Sequence, residues 1–304
     1  MTTPEERKKI INYHVDPARI PVRGKKAGLM QRLLSSRTFF MPFIFIVLLV
    51  IIAVLAPVLT PYQRDAIDMD SINQPGSASH FLGTDNLGRD LFTRLIYGAR
   101  YSLLSAFAAV LIAVALGLIL GGAAGFYGGW ADSAVSSFVD LFLSVPLFLI
   151  LLVASSAFPG SIWVIPLIIG AVSWMEIARV TRAEIYSLKS SGFVQASVSM
   201  GERPALAALK HILPAVAGPV AVAATIGLAN AMLIESALSF LGFGIQPPTP
   251  TWGNMLDNGR AFLRTDPMAA FAPGFMIFIT CLCFNFIGRS LQSALSATDD
   301  HREN

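Results

Sequence analysis

Residues 195–214 read Gln195-Ala196-Ser197-Val198-Ser199-Met200-Gly201-Glu202-Arg203-Pro204-Ala205-Leu206-Ala207-Ala208-Leu209-Lys210-His211-Ile212-Leu213-Pro214, a basic passage set between two long apolar runs. Residues 184–200 suit a helix, Gly201 breaks it, and Pro204 is well placed to open the next, because proline fits a first helical turn. Two short helices joined by a glycine, too polar to cross a bilayer, make a knob that fits a groove in a partner. An unpartnered helical hairpin is the plainer alternative. The flanking runs decide the rest: this passage belongs to a membrane protein.

Composition agrees. The chain of 304 residues is 54% hydrophobic and 13% charged, about half the charge content of an ordinary soluble domain. A chain of this makeup cannot hide its apolar surface from water. Six stretches are long enough to cross a bilayer, which takes about 20 apolar residues: 39–59, 101–124, 135–157, 162–180, 214–239 and 270–292. The expected architecture is an all-α membrane protein with six transmembrane helices.

Basic residues set the orientation. The leader carries Arg7, Lys8, Lys9, Arg19, Arg23, Lys25, Lys26, Arg32 and Arg37, and the passage after the fourth span carries Arg179, Arg182, Lys189, Arg203 and Lys210. An even number of spans separates them, so both are expected in the cytoplasm with the C-terminal tail. Arg64, Arg89, Arg94 and Arg100 oppose this assignment, but the first span and its leader usually dominate. The first apolar run starts too late for a cleaved signal peptide and is read as an anchor. Before it, Leu29, Met30, Leu33 and Leu34 recur at helical spacing, as in a short helix at the membrane surface. The expected organisation is a basic leader (1–38), a first span (39–59), an outer loop (60–100), a five-helix core (101–292) containing an inner loop (181–213) and an outer loop (241–269), and a tail (293–304).

Catalytic chemistry is missing from the sequence. The histidines His14, His80, His211 and His301 lie far apart, and no zinc, nucleophile-elbow or phosphate-loop motif is present. Cys281 and Cys283 have no companion ligands for a metal and are expected to pack inside a helix. The sequence thus predicts no catalytic residue, no metal and no nucleic-acid partner; any ATP would be bound elsewhere. Gly117, Gly121, Gly125 and Gly129 recur every four residues and predict a close helix contact. Pro146, Pro166, Pro219 and Pro273 predict kinks.

Ionisable residues inside spans are candidates for function. Glu176 stands three residues before Arg179 and is read as half of a structural pair; Asp140 precedes Pro146 by about one turn and a half. Asn230 and Glu235 are candidates for a solute path, with a helix–helix contact as the alternative for Glu235. A self-sufficient channel or ion-driven transporter is the alternative class. It would need a pore-lining charge set or matched broken helices in repeated halves, and neither is evident.

The 195–214 passage resembles the coupling motif of ABC importer permeases, E-A-A-x3-G-x9-I-x-L-P, with the same spacing. Gln195, Ala196, Ser197, Gly201, His211, Leu213 and Pro214 occupy its positions, with Gln195 in place of Glu, Ser197 where Ala is common and His211 at the Ile position. Two further segments, His80-Phe81-Leu82-Gly83-Thr84-Asp85-Asn86-Leu87-Gly88-Arg89-Asp90 and the run from Glu235 to Gly253, look like outer-loop signatures of the second permease of oligopeptide/dipeptide importers. Phe284-Asn285-Phe286-Ile287-Gly288 is also similar, although Arg289-Ser290 replaces an acidic continuation. The resemblance implies a type I importer fold in the bacterial cytoplasmic (inner) membrane, a second homologous permease, two ATPase subunits that bind ATP and Mg, and an external or periplasmic solute-binding protein. It makes the 195–214 loop the ATPase-coupling element. It makes Asp85, Asn86, Gly88, Arg89 and Asp90 candidates for binding-protein docking or an outer gate, unless these charges serve only the loop's own fold.

Overall fold

A computed structural model describes residues 29–158 and 161–299. His14, His301, the first 28 residues of the leader and the last five of the tail lie outside the described residues. Within them the chain forms helices and loops, with one isolated bridge between Thr84 and Asp90. The helices are α1 (Leu29–Ser35), α2 (Arg37–Val54), α3 (Ala56–Leu59), α4 (Leu91–Tyr127), α5 (Gly129–Leu143), α6 (Leu147–Ala157), α7 (Val164–Lys189), α8 (Gly192–Ser199), α9 (Pro204–Ala207), α10 (Leu213–Phe240), α11 (Trp252–Arg260) and α12 (Met268–Asp299).

Five helices are long and apolar enough to cross a membrane, and the α5–α6 pair makes a sixth crossing if taken as one span. That pair corrects the sequence expectation. Residues 135–157 do not form one continuous helix: the chain bends by 85° between α5 and α6. The break falls at Ser144-Val145-Pro146, where proline cannot continue the ladder of the preceding turn. Hydropathy misses such a break because the residues on both sides remain apolar.

The second span is also longer than expected. Helix α4 starts at Leu91, so Arg94, Tyr97 and Arg100 are helical and not part of an outer loop. Its start is fixed by Asp90, whose carboxylate accepts the Thr93 N–H at 2.7 Å, a standard way to satisfy a first-turn donor that has no partner within the helix.

Helices α4 and α7 form the central pair. Their contact runs along the glycine stripe: a Cβ on Gly121 would lie 2.4 Å from the carbonyl oxygen of Ala178, and one on Gly117 2.6 Å from Ile177. Gly125 faces Arg182 and Ile185, and Gly170 of α7 meets Ala109 and Ile112 of α4. Gly129 falls outside the stripe, since α4 ends at Tyr127 and the chain turns at Gly128. In lipid, where apolar side chains gain nothing by leaving solvent, such close backbone approach supplies the dispersion contacts that hold helices together.

Around this pair, α10 and α12 pack on one flank and α2 on another, sharing a core that includes Leu103, Ile169, Met232, Trp252 and Phe284. Cys281 and Cys283 belong to it and are unpaired, as their apolar setting predicted. The outward faces carry Leu111, Ile119, Val153 and Phe278, all exposed in the isolated chain; hydrocarbon is the solvent that suits them. The amphipathic segment before the first span forms α1, with Leu33 buried and Met30 exposed.

Candidate functional site

The inner loop differs from its sequence reading in one respect. Residues 184–200 are not a single helix: α7 runs to Lys189, the chain turns at Ser190-Ser191, and α8 covers Gly192–Ser199. Gly201 then adopts φ +97°, with open space where a Cβ would point. The left-handed backbone alone therefore calls for glycine there. Helix α9 continues through a π-helical turn, Ala208–Ile212, into α10. The Leu213 N–H donates to the Ala208 carbonyl; the wider turn comes just before Pro214, which has no N–H to give. The knob is thus bounded by turns at Ser190-Ser191 and Gly201 and runs on into the fifth apolar span.

Glu202, which the sequence reading passed over, ties the loop together. Its carboxylate accepts the Ser197 hydroxyl, the Lys210 ammonium at 3.0 Å, and lies 3.3 Å from His211 Nε2. The Ser197 hydroxyl and then Lys210 hold its pKa low, at about 2. Val194 roots the knob by packing with Ile185, Ile212 and Val216. Gln195 and Ala196 stay on the exposed side, Gln195 donating to the Ser190 carbonyl at 3.3 Å, and Met200 and Leu209 stand out from it. Leu213 and Pro214 are exposed where α10 begins.

On the opposite face, the charged outer-loop residues serve the loop itself. Asp85 accepts the backbone N–H groups of Leu87 (2.9 Å) and Arg89 (3.0 Å) and the Arg89 Nε at 2.7 Å. Arg94 Nε lies 3.7 Å from the same carboxylate. His80 Nδ1 meets Asp90 at 3.0 Å while Asp90 caps α4. Gly88 has φ +70°, and a Cβ there would strike the Asp68 carbonyl at 1.7 Å. Asp85, Arg89 and Asp90 are all buried, so as side chains they are not available to a docking partner. Of the five candidates only Asn86 is exposed.

Between the two faces lies a cavity of about 300 Å³ walled by α4, α7, α10 and the α5–α6 elbow. Its walls are mostly apolar (Val110, Leu143, Leu147, Val172, Leu233), and its polar groups are Ser173, Glu176 and Asn230. Asn230 lines the cavity. Glu235 does not. It is fully buried, accepting the hydroxyls of Ser239 (2.8 Å) and Ser102 (3.3 Å), while the Trp252 N–H donates to Ser102 at 3.2 Å. This network joins α10, α4 and α11, so the helix-contact alternative holds for Glu235.

The expected Glu176–Arg179 pair is likewise absent: Arg179 reaches Asp140 of α5 at 2.6 Å, and Arg182 reaches Asp132 of the same helix at 2.9 Å. The only sequence signal for Glu176 was its position, a carboxylate in an apolar run.

A helical membrane scaffold with a polar knob at one end, a folded loop at the other and a cavity between them defines the class: a transport permease. The chain belongs to the family described as the binding-protein-dependent transport system inner membrane component, which matches residues 113–297. Residues 28–75 match the N-terminal transmembrane domain of oligopeptide transport permease C. The chain is 36% identical over 265 residues to the dipeptide transport system permease protein DppC of Alkalihalophilus pseudofirmus, covering 87% of each. It is 34% identical over 271 residues to the oligopeptide transport system permease protein OppC of Haemophilus influenzae, covering 88% of this chain and 87% of that one. Among solved structures, the inward-facing MetNI methionine ABC transporter aligns with a TM-score of 0.52 at 21% identity, over 67% of this chain and 97% of that one. That likeness establishes the shared fold. The protein is a multi-pass membrane permease, a transport subunit.

Proposed function

We propose that this chain is the second of two homologous permeases in an ATP-driven, binding-protein-dependent importer of peptides or similar small solutes. In this reading it sits in the bacterial inner membrane with both termini in the cytoplasm. Two ATPase subunits bind ATP and Mg and grip the 195–214 knob, and an external binding protein delivers solute to the outer face. The relatives' names support the peptide class.

The observation that carries the mechanism is continuity. The knob is attached to α7 on one side and runs directly into α10 on the other, and both helices wall the cavity. Force applied at Met200 is therefore delivered to two walls of the path. Glu202 keeps the knob from absorbing that force by bridging Ser197 to Lys210. Shifting such an equilibrium almost completely takes about 5.5 kcal/mol of differential binding, which ATP-driven closure of a partner pair can supply.

The test is site-specific cross-linking. The two natural cysteines are buried, so Met200→Cys offers an accessible thiol on the knob. The proposal expects this thiol to react with a cytoplasmic reagent and to cross-link to a co-expressed ATPase subunit, with a yield that changes when ATP is bound. Labelling from the outer side alone would overturn the orientation, and labelling from the inner side with no cross-link would overturn the coupling role.

A further inference from the structure

We propose that Glu176 is the charge-selecting residue of the cavity, its carboxylate receiving the ammonium or guanidinium group of a cationic solute in transit. The inference rests on the import reading and names the solute chemistry that the path favours.

An ionised side chain inside an apolar span is costly and persists where it faces a partner or a water-filled cavity. Glu176 has no internal partner. The two arginines that follow it on α7 are engaged with α5, Arg179 with Asp140 and Arg182 with Asp132. Among the described residues Glu176 makes no hydrogen bond or ion pair, and it is exposed at the cavity wall. A carboxylate held only to satisfy the fold would have kept its neighbouring arginine.

Its depth fits the role. Helices α7 and α10 share the inner loop at one end, so Val164 and Phe240 mark their opposite, outer ends. At 1.5 Å per residue Glu176 lies about 18 Å from Val164 and Asn230 about 15 Å from Phe240. Both are thus about half a hydrocarbon thickness from the outer ends, level with one another on facing walls. Ser173 lies one turn from Glu176 on the same wall. A few polar groups in an apolar enclosure fix the orientation of a guest, and here the single charged one is negative. A hydroxyl, a carboxamide and a carboxylate together suit an ammonium and repel a carboxylate.

The test uses the whole importer in proteoliposomes with its binding protein at saturation, taking up two tripeptides of equal length, Ala-Lys-Ala and Ala-Glu-Ala. The binding protein is a separate chain, so its own preference is the same for every permease variant. Glu176→Gln is expected to lower the lysine-to-glutamate uptake ratio by about tenfold, the scale of one charge contact in a partly wet site. Glu176→Asp is expected to restore most of the ratio, and Glu176→Lys to invert it. An unchanged ratio in Glu176→Gln with stimulated hydrolysis intact overturns this inference and leaves the import reading standing. Loss of the second permease from the purified complex in Glu176→Gln would make Glu176 an interface residue, which also overturns it. If the wild-type assembly takes up neither tripeptide, the import reading itself fails.

Discussion

Gly121→Ala should loosen the α4–α7 contact on which the cavity is built. The added Cβ would sit 2.4 Å from the Ala178 carbonyl oxygen and 2.6 Å from the Ala178 Cα. Both are backbone atoms, so no rotamer change relieves the clash, and ordinary contact requires the helices to part by about 1 Å. Overpacking of this kind costs about 1–3 kcal/mol. Alanine is also a better helix former than glycine by about 0.5–1 kcal/mol, which would mask part of the loss. Gly122→Ala is the matched control, because its Cβ would meet only the Ile185 Cδ1 at 3.9 Å. The propensity gain cancels in the comparison, so the gap between the two variants reports packing alone, about 1–3 kcal/mol. Thermal unfolding in mild detergent is expected to place Gly121→Ala several degrees below Gly122→Ala. Equal melting temperatures would refute the stripe as a packing interface.

Other expectations follow from the same geometry. Gly201→Val meets no steric obstacle but must adopt φ +97°; it is expected to cut solute uptake severalfold while the protein still inserts in the membrane and ATP hydrolysis continues, read by uptake per ATP hydrolysed. Glu202→Ala should free the knob, seen as faster amide exchange across residues 192–212. Because the Glu202 pKa is lowered, its contribution to loop order is complete above the ordinary value of 4.5 and is lost as pH falls toward about 2; protection from exchange, taken relative to the intrinsic rate at each pH, should fall over that window in the native chain and stay flat in the alanine variant. Asp85→Ala leaves Arg94, 1% exposed, and the buried Arg89 without their carboxylate. The expected destabilisation is about 3–5 kcal/mol, measured as loss of folded protein on solubilisation, whereas the exposed Asn86→Ala should leave folding intact.

The spans were legible because bilayer thickness imposes a length that an apolar run either reaches or misses. The break in the 195–214 passage was legible because Gly201 and Pro204 are local signals, and local backbone rules held at both. What the sequence hid depends on contacts between distant segments. Glu176 and Arg179 satisfy the spacing for a helical pair, yet the bend at Pro146 belongs to the path that brings Asp140 of α5 to that arginine. Spacing along one helix cannot weigh a partner that arrives from another. The outer loop taught the same lesson: a cluster of Asp and Arg reads as a recognition surface, but Asp85 and Asp90 are used to close turns and cap α4. Glu235 carried no sequence mark distinguishing it from a path residue, because its serine partner on α4 is more than a hundred positions away. Glu202 was visible as a carboxylate after the glycine, and its pairing with Lys210 required knowing that the π-helical turn brings that side chain back toward it.

The central claim is that ATP closure by partner subunits is transmitted through the 195–214 knob to move solute. Its most direct measurement is purification of the chain from mild detergent with its co-expressed neighbours, followed by ATP hydrolysis and uptake in proteoliposomes with and without solute-loaded binding protein. The account predicts recovery of a second permease and two ATPases, with hydrolysis and uptake both rising on addition of loaded binding protein and uptake cut severalfold in Gly201→Val. A lone chain that moves solute down its gradient without ATP, at the same rate in Gly201→Val, would contradict it.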